Sequence, residues 1–174
     1  GSKDHSLQLL QRWAAREPRI RVFHQSNSGV ALTRQKGLDQ ARGNFVCFLD
    51  ADDLWLPQKL ETQIAFMQKH QAPLSFTQYR RFSDNPQNPG ALIQVPETVN
   101  YKQLLSHNVI ANLTTMVDLS KTGPLTITNQ PHEDFILWLS ILKRGFTAFG
   151  IQEDLARYRV AGNSLSGNKL RAAG

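Results

Sequence analysis

Three carboxylates close a short apolar run in Phe48-Leu49-Asp50-Ala51-Asp52-Asp53. Carboxylates this crowded repel one another when ionised, so a cation is their natural partner. All-oxygen ligands suit Mg²⁺ or Mn²⁺, which also take phosphate oxygens. D-x-D alone is a common pattern, and an acidic turn can do no more than cap the next helix. Its place after a buried strand adds weight, because open α/β sheets bind ligands beyond the carboxyl ends of their strands. A second candidate is His132-Glu133-Asp134, opening an apolar helix that contains Trp138. Acidic residues suit a first helical turn on dipole grounds alone. A carboxylate held at the mouth of a buried helix can also serve as a general base. The third group is Asn27-Ser28-Gly29 followed by Thr33-Arg34-Gln35-Lys36-Gly37. A loop entering a helix N-terminus can hold phosphate, with Arg34 adding charge. Arg34 can equally be a surface residue, since the spacing matches neither the Walker nor the dinucleotide glycine pattern.

These side chains need elements to position them. Residues 6–17 read as an amphipathic helix, with Leu7, Leu10 and Ala14 on one stripe, Leu9 and Trp13 beside it, and Glu17-Pro18 as its end. Residues 20–25 alternate like a strand, and 29–41 read as a helix closed by Gly43. Residues 44–49 form a buried strand that delivers Asp50. Another helix runs over 57–70, with Pro57 near its first position and Leu60, Ile64 and Met67 at helical spacing. A strand over 74–82, a loop over 83–90, a short helix over 101–107 and a strand over 114–119 follow. Residues 134–144 are apolar almost all round and predict a buried helix, with Gly145 as its stop. One or two strands fit 146–160, and the polar tail from 162 is expected to be mobile. Helices alternating with short apolar strands indicate an α/β sheet, at least partly parallel.

The 174-residue chain is 40% hydrophobic and 20% charged, which suits one globular domain with a sizeable core. Its net charge is +6, and Arg12, Arg16, Arg19, Arg21, Arg34, Lys36 and Arg42 crowd the first part. Such a balance can draw nucleic acid, anionic lipid or a phosphorylated small molecule. A solvated basic helix face accounts for most of these residues. Without aromatic stacking positions or a recognition helix, no nucleic-acid partner is expected. No apolar run approaches a bilayer span and no signal-peptide pattern opens the chain, so the expected location is cytoplasmic. Cys47, alone in an apolar run, reads as core packing.

Taken in chain order, the three groups resemble the family 2 inverting glycosyltransferases of the GT-A fold. That family shows N-x-G…A-R-N-x-G, then G-x-(apolar)-F-L-D-A-D-D, then E-D before an apolar stretch with Trp, then Y-R…S-x-S. Here the matching positions are Asn27, Gly29, Arg34 and Gly37; Gly43 through Asp53; Glu133-Asp134 with Leu137-Trp138-Leu139; and Tyr158-Arg159 with Ser164 and Ser166. Gln35 stands in place of the usual Asn. Ala161 stands where some members carry a metal-binding His, and His132 is not expected to replace it. Gly1-Ser2-Lys3-Asp4 looks like a cloning scar before native sequence or like the end of the family's D-D-G-S-x-D motif. On either reading the chain is expected to form a single partial GT-A domain over 1–174. Its mixed, largely parallel sheet would be flanked by helices and lack the family's first strand, helix and second strand.

The resemblance implies transfer of a sugar from a UDP- or GDP-sugar type donor to a glycan or lipid-linked acceptor, with inversion. Asp134 would be the base, and Asp52 would hold Mg²⁺ or Mn²⁺, with Asp50 facing the metal or the donor ribose. Arg34, Asn27, Gly29 and Asp53 would lie on the donor side. Glu133 and Trp138 would position Asp134 and the acceptor pocket, and Arg159 would reach a phosphate or pair with an acidic neighbour. Bacterial polysaccharide or envelope glycan synthesis is the expected setting, cytoplasmic or peripheral at the inner face of the membrane. Absent edge strands would invite a homodimer. The alternatives are a non-catalytic GT-A-like binding or assembly module, and a basic surface that binds nucleic acid or membrane.

Overall fold

Two long strands organise the chain in the computed structural model, which describes residues 1–160. Strands β3 (Leu74–Phe82) and β7 (Ala148–Arg159) pair in parallel from Leu74 opposite Ala148 to Phe82 opposite Arg159. The register shifts on both sides of Gln78, where β7 carries extra residues, and such bulges bend and twist a strand. The first half of β3 is buried on both faces, which explains its weak alternation.

The sheet order is β1 (Phe45–Cys47), β6 (Met116–Asp118), β3, β7, β2 (Leu54–Trp55), with β4 (Leu92–Ile93) on β3 and β5 (Thr98–Val99) on β7. The α/β class is as expected, but among the described residues only β3 and β7 pair in parallel. Helix α3 (Lys59–His70) falls between β1 and β3 in the chain, and those two strands do run the same way. Strand β6 enters between them, antiparallel to both. Alternation of helices and strands along a sequence says nothing about such a late insertion, which is why the parallel share was overestimated.

Helix α6 (Glu133–Lys143) buries Glu133, Leu137, Trp138, Ile141 and Leu142 on one stripe, and Gly145, with φ of +94°, ends its run as expected. It packs into the main core with Leu74, Phe76, Val117 and Ala148. Helix α4 (Tyr101–Ser106) starts at a capping box of Asn100 and Gln103. A smaller cluster of Met67, Ala72 and Met116 takes in the partly buried Cys47. Beside it Lys59 is fully buried with no carboxylate partner among the described residues: Nζ donates to Gln63 Oε1 at 2.6 Å and lies 4.5 Å from the Trp55 ring centroid.

Near the start both expected helices form but end early, and the expected strand is absent. Helix α1 (Ser6–Ala14) ends three residues short, with Leu7 and Ala14 half-buried and Leu9, Leu10 and Trp13 exposed. Residues 20–25 make no ladder, because a strand needs a neighbouring edge and none of the described residues supplies one. Helix α2 (Gly29–Asp39) ends two residues short of the expected 41, with Gln40 still right-handed; Arg21 holds this end by donating to Gln40 O at 2.7 Å. Ala161, Ser164 and Ser166, and the expected mobile tail, lie outside the described residues.

Candidate active site

Strand β1 delivers Asp50 to the edge of the sheet, and the chain turns there, with Asp53 N–H donating to Asp50 O at 3.1 Å. Ala31, the buried residue of α2, precedes Arg34 by three positions, so both fall on the face turned to the sheet. Arg34 Nη2 donates to Asp50 Oδ1 at 2.5 Å and Oδ2 at 2.7 Å, while Nη1 donates to Glu133 Oε1. One guanidinium thus joins α2, the end of β1 and the first turn of α6. Arg34 and Glu133 side chains are 14% and 11% exposed against 43% for Asp50, so the Glu133 side of the bridge is the desolvated one.

Asp53 is buried, and its carboxyl is pushed up to about 6, chiefly by loss of hydration, with the charges of Asp52 and Asp50 adding to it. The Arg159 N–H, 2.9 Å from Asp53 Oδ1, works in the opposite direction. The Arg159 side chain pairs with no carboxylate among the described residues. It donates to the Asp52 and Ser83 carbonyls at 3.0 and 3.1 Å and stacks 4.4 Å over Phe82, so it braces the acidic turn. Of the two roles expected of it, the acidic side-chain partner is replaced among the described residues by these main-chain carbonyls. Asp52 is exposed at the tip of the turn.

Two clefts meet at this bridge. The first, about 720 Å³, is lined by Asn27, Gly29, Thr33, Arg34 and Asp50 among others. Asn27 Oδ1 accepts from Gly29 N–H at 3.1 Å, and Gly29 opens α2 with φ of +84°, a backbone region that favours glycine. The second cleft, about 540 Å³, has Asp50, Asp53 and Asp134 as its carboxylates, with Arg34, Tyr79 and Asn112 also in its walls. Arg34 and Asp50 belong to both. Asp53 therefore lies on the second side, away from the loop of Asn27 and Gly29 with which it was grouped.

Asp134 sits one turn ahead of Trp138 on α6, partly buried, its Oδ1 accepting the adjacent Phe135 N–H at 2.8 Å. Trp138 is fully buried with its ring 6.2 Å from that of Phe48, and it lines neither cleft. It underlies Asp134 as core and offers no surface to a ligand. No cluster of three or more His, Cys, Asp or Glu set to hold a metal occurs among the described residues. Asp50, whose two carboxylate oxygens both accept from Arg34, and the exposed Asp52 are hard oxygen donors of the kind that would suit a divalent cation.

Three contributions escaped sequence reasoning. Gln35, in place of the usual Asn, accepts from Ile127 N–H at 2.7 Å and donates to Asp39 at 2.6 Å, fastening α2 to the segment that leads into α6. Glu133 was assigned to positioning Asp134, but its contact is the buried bridge to Arg34, 99 residues away in the chain. Tyr79 and Asn112 carry no motif; only the rule that ligands gather beyond strand carboxyl ends pointed toward Tyr79.

Residues 1–122 match the family model described as glycosyl transferase family 2. The chain is 40% identical over 174 residues to TuaG of Bacillus subtilis, named as a teichuronic acid biosynthesis glycosyltransferase, covering 99% of this chain and 69% of that protein. It is 33% identical over 144 residues to WfgD of Escherichia coli, named a UDP-Glc:alpha-D-GlcNAc-diphosphoundecaprenol beta-1,3-glucosyltransferase, covering 82% of this chain and 56% of WfgD. Among solved structures, S. aureus TarS 1-349 with UDP-GlcNAc superposes with a TM-score of 0.69 at 17% identity, over 91% of this chain and 47% of TarS. The Pyrobaculum calidifontis mannosyltransferase PcManGT with GDP-Man and Mn²⁺ gives 0.69 at 17% identity, over 99% of this chain and 49% of that one. At such identity the two structures show a shared fold, the GT-A arrangement of a curled mixed sheet between helices.

Proposed function

The chain belongs to glycosyl transferase family 2, and from that premise we propose that it moves a sugar from a nucleotide-diphosphate donor in the first cleft to an acceptor hydroxyl in the second. One observation carries the reading. Of the three carboxylates lining the second cleft, Asp134 alone is neither bound to a guanidinium nor hydrogen-bonded to another element among the described residues. It is the group left to take a proton.

The donor diphosphate lies at the N-terminus of α2, where the Gly29 turn brings backbone N–H groups and the positive end of the helix dipole toward it. Arg34 spans the wall between the clefts. It aligns Asp50 toward the donor ribose and offsets the negative charge gathered there. Asp134, half sheltered on a rigid helix, takes the proton of the acceptor hydroxyl as the acceptor oxygen bonds to the anomeric carbon from the face opposite the departing nucleoside diphosphate. That single displacement inverts the configuration. Asp50 and Asp52 would hold Mg²⁺ or Mn²⁺, which would supply Lewis-acid neutralisation of the leaving group. Glu133 fixes Arg34, and through it the wall, while Trp138 packs beneath the first turn of α6.

Relatives' names support the choice of substrates. WfgD is named for a UDP-Glc donor and a lipid-diphosphate acceptor, PcManGT was solved with GDP-Man and Mn²⁺, and TuaG is named for teichuronic acid biosynthesis. A UDP- or GDP-sugar donor, a lipid-linked acceptor and a place in bacterial envelope glycan synthesis follow as the proposal. No helix among the described residues is long and apolar enough to cross a membrane, and peripheral action at the inner face suits a lipid-linked acceptor. The chain spans about half to two thirds of the proteins it matches, so these roles are proposed for the intact protein as well.

The test is nucleotide release from UDP- and GDP-sugars with Mn²⁺ and a sugar-diphosphate acceptor. Asp134→Asn is expected to cut turnover by about a thousandfold, within the usual range for loss of a general base, with UDP affinity unchanged. Release at the wild-type rate from Asp134→Asn overturns the assignment.

A further inference from the structure

The second cleft contains a polar side chain that the transfer chemistry does not use. Asn112, 9% exposed, lines the cleft, and its Nδ2 is buried without a hydrogen-bond partner. Buried amides are rarely left unpaired, because the lost hydration is not recovered. The short 3₁₀ turn that carries it (Asn112–Thr114) is anchored to its neighbours. Trp55 Nε1 donates to Leu113 O at 2.7 Å, and the buried Gln63 donates to Thr114 O at 2.8 Å, so the next two carbonyls are gripped from below. A cleft-lining amide left unpaired on an anchored turn suits a ligand oxygen that reaches it as the cleft fills.

Across the cleft, β3 presents Tyr79 and Arg81. Residues two apart in a strand share a face. Arg80, between them, faces the other way and pairs with Asp154 at 2.8 Å. The Tyr79 ring stands edge-on to that of Tyr158, with centroids 6.2 Å apart, a rigid apolar wall of the kind that packs against a sugar ring. Arg81 is exposed at the cleft and makes no ion pair among the described residues. In the same region Arg34 and Arg80 are both neutralised by carboxylates.

We propose that this cleft selects a glycosyl phosphate acceptor: Asn112 hydrogen-bonds an oxygen of the acceptor sugar, Tyr79 supports its ring, and Arg81 pairs with its phosphate. The inference rests on the transfer reading above and adds the residues that recognise the acceptor. Both Asn112 and Arg81 stand apart from the donor cleft, so their loss leaves the donor side intact.

Binding of two monomeric probes to the full chain tests it: hexyl N-acetylglucosaminyl diphosphate and the phosphate-free hexyl glycoside, followed by calorimetry or NMR titration. Wild type is expected to bind the diphosphate probe at least about tenfold more tightly, the scale of one charge-assisted contact. Arg81→Gln is expected to remove that preference and leave the plain glycoside unaffected. Asn112→Ala is expected to weaken both probes by about tenfold and leave UDP binding unchanged. Equal binding of the two probes by wild type, or unaltered affinities in both variants, overturns the proposal. Arg81 is exposed, so its variant folds and decides the matter even if Asn112→Ala does not. Intact probe binding with no nucleotide release from any donor would instead refute the transfer reading. Transfer with an unchanged acceptor KM in both variants would refute the acceptor site and leave the transfer reading standing.

Discussion

Replacing Arg34 by Met removes the guanidinium that joins three elements while keeping most of the side-chain volume. Asp50, nearly half exposed, is rehydrated at little expense, since surface ion pairs are worth about 0–1 kcal/mol. Glu133 is different: at 11% side-chain exposure it is left as a desolvated charge beside Asp50 and Asp134. Removing one partner of a buried pair costs about 3–5 kcal/mol. For a chain of 174 residues, at roughly 2–4 °C per kcal/mol, that corresponds to a fall in Tm on the order of 10 °C. The assay is urea denaturation followed by fluorescence, with the slope checked for constancy so that the midpoint reports stability. A second substitution carries the logic further. Arg34→Met with Glu133→Gln removes the stranded charge as well, and is expected to recover about 1–3 kcal/mol relative to Arg34→Met alone. A loss below about 1 kcal/mol in Arg34→Met, or no recovery in the double variant, would show that the bridge is not what holds α2 to α6.

Three further outcomes are expected. Burial holds the Lys59 ammonium down at about 8, against 10.5 for the free group, so between those values the unfolded chain binds a proton the folded one lacks. Stability should therefore rise as pH climbs from about 8 toward 10.5, by up to about 3 kcal/mol, and Lys59→Met should flatten that rise; a profile identical in the variant would discount it. Asp52→Ala should abolish the Mn²⁺-dependent part of any rise in Tm produced by UDP while leaving the apo Tm within about 0.5 kcal/mol equivalent, because Asp52 is exposed; metal dependence that survives would exclude it as a ligand. Gly29→Ala meets no atom within 4 Å, so its expense comes from φ of +84° alone, about 1–2 kcal/mol, read as a lowered urea midpoint with weakened UDP binding. No change in the midpoint would mean that the start of α2 rearranges freely.

What could be read directly was local. The stripes of 59–70 and 133–143 are set by side chains three and four apart, so α3 and α6 emerged within two residues of their ends. Asp50 and Asp134 are named by motifs, and both line the second cleft. Strand 20–25 was misread because alternation reports only that a segment suits an edge, while a ladder needs that edge to be present.

Tertiary structure alone decided which partners meet. Arg34 was legible as a charge near a phosphate loop, yet its side chain is spent on Asp50 and Glu133, contacts 16 and 99 residues distant. Trp138 sits in the motif like a pocket residue, but helical phase turns it into the core with Phe48. Arg159 acts through main-chain carbonyls, which no residue pattern records. Insertion of β6 between β1 and β3 brings the 3₁₀ turn, and with it Asn112, to the second cleft. The physical reason is the same throughout. Helix phase and turn chemistry act over a few neighbouring residues and are written in the chain, whereas desolvation and charge pairing depend on what packing brings together from far apart in it.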